Sequence, residues 1–154
     1  MTEAVVAGAI AVAALNAAAG LAGGWLWHRG ELSERPVKVF WLLLRVGQAS
    51  ALVFALAVGV LALAGHYSSD RLFYLYALLP LAVAFVGEQL RIAAAATILS
   101  QRELPDAAAV GRLAEEEQRR IVMEIVRREV GVMALSALVV VFLTLRAAGT
   151  AHGF

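Results

Sequence analysis

The segment Leu72–Leu99, LFYLYALLPLAVAFVGEQLRIAAAATIL, decides the fold class. Coiled into a helix at ~1.5 Å per residue it is long enough to cross the ~30 Å hydrocarbon core of a bilayer. Yet its centre, Ala84–Ile92 (AFVGEQLRI), carries Glu88, Gln89 and Arg91 within four positions. The rest of the chain has to explain why an otherwise lipid-soluble helix tolerates them.

The chain is apolar throughout: 62% of its 154 residues are hydrophobic and 16% charged. Soluble domains carry roughly 45–50% apolar and about 25% charged residues. A core of this length cannot hide so much apolar surface from water, so an integral membrane protein is the expected class. Three more stretches have spanning length, about Ala4–Trp27, Val39–Gly65 and Val130–Arg146. In the last, Glu129 and Arg146 snorkel to the two interfaces. No basic region precedes the first apolar run, so it reads as a retained span rather than a removable leader. The expected fold is an all-α bundle of four transmembrane helices, with an amphipathic cytoplasmic helical segment over about residues 100–129.

Positive charge gives the orientation. Arg29, Arg35 and Lys38 lie between spans one and two, and Arg102, Arg112, Arg119, Arg120, Arg127 and Arg128 between spans three and four. The remaining connection holds only Arg71. The positive-inside rule therefore puts both termini outside a cytoplasmic membrane. Trp25, Trp27, Phe40 and Trp41 mark the inner interface, and Tyr67, Phe73, Tyr74 and Tyr76 the outer one. Abundant alanine, with twelve arginines and only one lysine among the thirteen basic residues, points to a bacterial source.

The short hairpin Gly65–Arg71 makes spans two and three antiparallel neighbours, with Ser68 or Ser69 capping the third helix and Asp70 favouring its N-terminus. Pro80 leaves the Tyr76 carbonyl without its usual donor and marks a bend. After Leu104-Pro105-Asp106 a short helix is expected to Gly111, then a long one from about Ala114 running unbroken into the fourth span. Glu115–Arg119, Glu116–Arg120 and Glu124–Arg128 are i,i+4 pairs in the favourable order. Ile121, Val122, Ile125 and Val126 recur at helical spacing as an apolar stripe, a candidate docking face for a partner.

Helix association in lipid relies on close backbone approach and interhelical polar contacts. Asn16, Gly20 and Gly24 form one small or polar face; Gly47, Ala51, Ala55 and Gly59 form another on the next helix. They read as packing of helix one on helix two, with a homo-oligomer seam as the competing reading.

Depth addresses the opening problem. Arg45 lies ~9 Å inside its span, Arg91 ~12 Å and Glu88 ~16 Å. Arg45 and Gln48 share a face of one helix, Glu88 and Arg91 a face of the next, and Glu129 enters from the same side. A charge facing acyl chains costs at least ~2.5–3.5 kcal/mol. Glu88 is therefore expected to pair with Arg45 or Arg91 inside the bundle, with Gln48 and Gln89 as hydrogen-bond partners. The cluster is either a structural lock or an ion, proton or ligand site.

Other chemistry is thin. With no cysteine there are no disulfides or thiolate sites. His28 and His66 fall at opposite ends of the bundle and cannot share a metal or haem. No zinc-protease, nucleophile-elbow or phosphate-loop motif occurs. The region between spans three and four is balanced in charge, which argues against a nucleic-acid or anionic-lipid surface. No cofactor or catalysis is expected. The preferred expectation is an accessory or interaction subunit, with the bilayer, a membrane or cytoplasmic protein, or a second copy as partner. The alternative is a small transporter or channel subunit using Glu88 and the inner arginines.

Overall fold

The computed structural model covers the whole chain and describes every residue except Glu31. It is all-helical: α1 (Thr2–Arg29), α2 (Glu34–Leu63), α3 (Leu72–Gln101), α4 (Ala107–Val110) and α5 (Glu115–Thr150). Local chemistry sets the breaks. Gly30 ends α1 in the left-handed conformation, φ 71°, its N–H donating to the Leu26 carbonyl. Pro36 sits in the first turn of α2, where a missing donor is harmless. At the start of α3 it is Asp70 that caps, accepting from the Leu72 N–H at 2.8 Å. Ser68 and Ser69 do not cap; both hydroxyls donate to the His152 carbonyl, at 3.0 and 3.1 Å. Glu103, at φ 56°, closes α3 in a Schellman-like turn with Leu104 N–H on the Leu99 carbonyl.

α1, α2, α3 and α5 are long and apolar enough to cross a membrane. Large apolar side chains such as Leu42, Leu56, Leu75, Phe85 and Phe142 cover their outer surface. The four form a ring in chain order, and α5 is its hub, packed extensively on both α1 and α3. α2 leans on α1 and meets α3 only sparsely. The short hairpin thus joins α2 and α3 without making them close partners, because α3 gives its contact face to α5.

Three apolar clusters hold the bundle. Near the α2–α3 hairpin, Phe73 is fully buried among Val5, Phe54, Val58 and Val140, and the Phe154 ring meets it edge-on at 5.0 Å. Toward the arginine-rich end, Phe40, Leu26, Leu44 and Met133 form the second. The third lies beyond it, where Ile98, Val110 and Ile121 meet under Leu104, Leu113 and Ile125. This third cluster takes up much of the apolar stripe of α5. Ile121 is buried, Ile125 and Val126 are partly covered, and only Val122 faces outward. α4 and the tip of α3 fold back over this candidate docking face.

The small-residue faces need a similar correction. Asn16 does join α1 to α2, donating to the Gly47 carbonyl at 3.2 Å, and Ala51 and Ala55 are buried. Gly20, however, abuts Leu138 and Ala134 of α5, and neither Gly24 nor Gly59 has a neighbour that a methyl group would touch. Gly20 and Gly47 are close approaches, a Cβ there lying 2.7 Å from Leu138 and 2.9 Å from Asn16, and three glycines outside the expected faces are as tight. A Cβ on Gly23 would sit 2.5 Å from Phe40, one on Gly87 2.7 Å from Ser136 Oγ, and one on Gly131 2.9 Å from Trp27.

Candidate functional site

The polar residues of α2 and α3 converge where these helices are otherwise thinly joined. Arg45 and Gln48, and Glu88 and Arg91, stand three residues apart, which puts each pair on one helical face. Gly87 lets α3 approach Ser136 of α5, and this proximity brings the next residue, Glu88, toward the seam. Arg45 Nη1 donates to Glu88 Oε1 at 2.6 Å and to Gln48 Oε1 at 2.7 Å. Arg91 Nε donates to Glu88 Oε2 at 2.9 Å, and Gln48 Nε2 lies 3.5 Å from Oε1. Glu129 of α5 stands 3.8 Å from Arg91 Nη1, so the cluster spans three helices.

Trp41 belongs to it as well. One turn before Arg45, its ring lies under both guanidinium groups, 5.9 Å from Arg45 and 5.4 Å from Arg91. In the sequence Trp41 reads only as an interfacial aromatic. The signal that it does more is its four-residue spacing from Arg45. Gln89 is the opposite case, expected inside but exposed and hydrogen-bonded to no described residue. It follows Glu88 directly, and neighbours in a helix diverge by about 100°.

Charge within the cluster balances: two arginines against Glu88 and Glu129. The Glu88 carboxylate is engaged on both oxygens by cations, and charge-assisted bonds of this kind are the strong ones. The side chains of Glu88 and Arg91 are mostly covered, whereas that of Arg45 is 52% exposed on the α2–α3 seam. No buried side-chain nitrogen or oxygen among the described residues lacks a partner. The described residues also form no group of three or more His, Asp or Glu able to hold a metal ion.

The cluster predicts a measurable coupling. Breaking a buried ion pair costs ~3–5 kcal/mol, and the exposure of Arg45 should reduce this to about 1–3 kcal/mol for Glu88→Gln. Swapping the pair, Glu88→Arg with Arg45→Glu, should recover part of that in detergent melts. Recovery stays partial because the new arginine lies beside Arg91. A coupling indistinguishable from zero would mean that Glu88 does not clamp α2 to α3.

At the far end the i,i+4 pairs expected along α5 do not form. Glu124 turns instead to Arg102 at the end of α3, 2.7 Å away. Gln118 donates to the carbonyls of Gly111 and Leu113, fixing the turn between α4 and α5. Beside it lies a polar groove of about 580 Å³, walled by Arg102, Glu115, Glu116, Arg119 and Arg120. No protein family, curated protein or solved structure matches this chain.

Proposed function

We propose that the chain is a multi-pass protein of the bacterial cytoplasmic membrane, with both termini outside, that serves as an accessory or interaction subunit and not as an enzyme. The observation that carries this reading is α5. Its 36 residues would span ~54 Å as a helix, well beyond the ~30 Å of a hydrocarbon core. The surplus is not a frayed tail but part of a folded head with its own apolar cluster. A head of this kind offers a partner a shaped, charged surface in the cytoplasm. With the Ile121 stripe consumed internally, the docking face becomes the groove walled by Arg102, Glu115, Glu116, Arg119 and Arg120.

The second reading, a small transporter or channel subunit acting as an oligomer, is favoured by the exposed Arg45 on the α2–α3 seam. Against it stands the double engagement of Glu88, which leaves little for an ion or proton to bind.

Two measurements test the proposal. Cysteine at His66 should react with an impermeant thiol reagent in intact cells and cysteine at Ala108 should not; the reverse would invert the orientation. A photo-crosslinker at Arg120 should yield one discrete protein adduct that Arg119→Glu abolishes and Glu88→Gln preserves. No adduct, together with proteoliposome flux that Glu88→Gln removes, would replace this reading with the transporter.

A further inference from the structure

We infer that the groove between α1 and α5 at the arginine-rich end holds one acyl chain of an anionic phospholipid, its phosphate gripped by Arg127 and Arg128. The inference rests on the membrane reading above. The groove encloses about 460 Å³, and apart from Arg128 its lining is apolar, including Trp27, Val132 and Leu138. Two glycines shape it. A side chain on Gly131 would strike the Trp27 ring, so its absence lets that ring lie against α5 as a wall. Gly24 leaves open space where any larger residue would fill the floor. From Arg128 to Leu138, α5 rises ~15 Å, about half the hydrocarbon thickness and hence the depth of one leaflet.

The mouth is cationic. Arg128 lines it, the Arg127 guanidinium lies 5.7 Å from the Trp27 ring centre, and Arg29 lies over Trp25 at 4.8 Å. The acids of α5 that would neutralise them are turned elsewhere: Glu124 to Arg102 and Glu129 inward to Arg91. Among the described residues, neither Arg127 nor Arg128 has an ion-pair partner. Charge that is balanced along the sequence is thus separated in space, and the anionic-lipid surface that composition argued against reappears locally. A soluble phosphate compound would gain nothing from the apolar walls. A second copy docked symmetrically would bring the two sets of arginines together.

The test uses the full chain with phosphatidylglycerol and phosphatidylcholine of matched acyl chains. Native mass spectrometry from an equimolar mixture should retain one phosphatidylglycerol in preference to phosphatidylcholine. At about fivefold for each of the two arginines, the preference should reach about twenty-five-fold. Arg127→Gln with Arg128→Gln, both exposed and safe for folding, should bring the preference close to one. Gly24→Leu, which grows into open space, should lower retention of both lipids. Quenching of the native tryptophans by brominated phosphatidylcholine in vesicles serves as the insertion control. No quenching would overturn the membrane reading and this inference with it. Quenching without phosphatidylglycerol preference, or with a preference indifferent to the arginines, would overturn this inference alone. A dimer that Gly24→Leu dissociates, in the absence of lipid preference, would likewise overturn it and assign the groove to a second copy.

Discussion

Replacing Ile121 and Ile125 together by serine is expected to unfold the head of the bundle and not merely to weaken an interaction. Ile121 is 1% exposed between Ile98 and Val110, and Ile125 packs onto the same cluster. Truncating one buried isoleucine costs ~2–5 kcal/mol, and a serine hydroxyl left in that space adds the burden of an unsatisfied polar group. A cluster with three buried members cannot absorb this, so α4 should detach while the rest of the bundle remains helical. Val122→Ser, one residue away and 51% exposed, should change stability by no more than about 0.5 kcal/mol. Limited proteolysis between Gln101 and Glu115 reads the difference: rapid cleavage in the double variant, resistance in Val122→Ser. A head equally resistant in both would return the stripe to the surface and restore it as a docking face.

Gly23→Leu is expected to disrupt the whole bundle, whereas Gly24→Ala should leave it intact or slightly firmer. The first carbon of a side chain at Gly23 would lie 2.5 Å from the ring of Phe40 and 2.7 Å from Ala134 Cβ. Phe40 is fully buried, so it has nowhere to move. Overpacking of this kind costs ~1–3 kcal/mol for added methylenes, and a full leucine wedged among three helices should exceed ~3 kcal/mol. At Gly24 the added methyl meets nothing, and alanine gains ~0.5–1 kcal/mol of helix propensity. Thermal melts in one detergent decide the matter. Equal melting temperatures for the two variants would mean that α1 does not approach α2 and α5 at Gly23.

This contrast shows what the sequence could and could not disclose. Length and hydropathy mark the four long helices, because apolar runs of that length have few other stable forms. The glycine spacing does not reveal which glycine is squeezed. Gly20 and Gly24 form the conspicuous four-residue step, yet Gly20 and the off-step Gly23 make the tight contacts and Gly24 makes none, since the rotation of α1 about its axis depends on both α2 and α5. The polar cluster is legible for a physical reason: if the apolar runs are spans, charges within them must meet, and counting along the helices brings Arg45, Glu88 and Arg91 to similar levels. Gln89 shows the limit of that argument, because depth says nothing about azimuth. The ion pairs of α5 fail for a different reason. An i,i+4 pair is worth only a few tenths of a kcal/mol, so Glu124 readily goes to an arginine from another helix. The stripe at Ile121 displays its period faithfully, but periodicity identifies an apolar face without identifying what covers it.

The hub position of α5 bears on how the protein is made. α5 follows the other three long helices in chain order, yet α1 and α3 find their main partner in it. α2 and α3, made in succession and joined by the Gly65–Arg71 hairpin, meet each other chiefly at the Arg45–Glu88 cluster. Chains generally begin to organise from the N-terminus as they emerge, but here the faces of α1 and α3 stay unmatched until α5 has been synthesised. Helices in a bilayer can insert singly and associate afterwards. On the proposed membrane reading, insertion would keep pace with synthesis while assembly would not, so the three earlier helices would persist side by side until α5 arrives and draws them together.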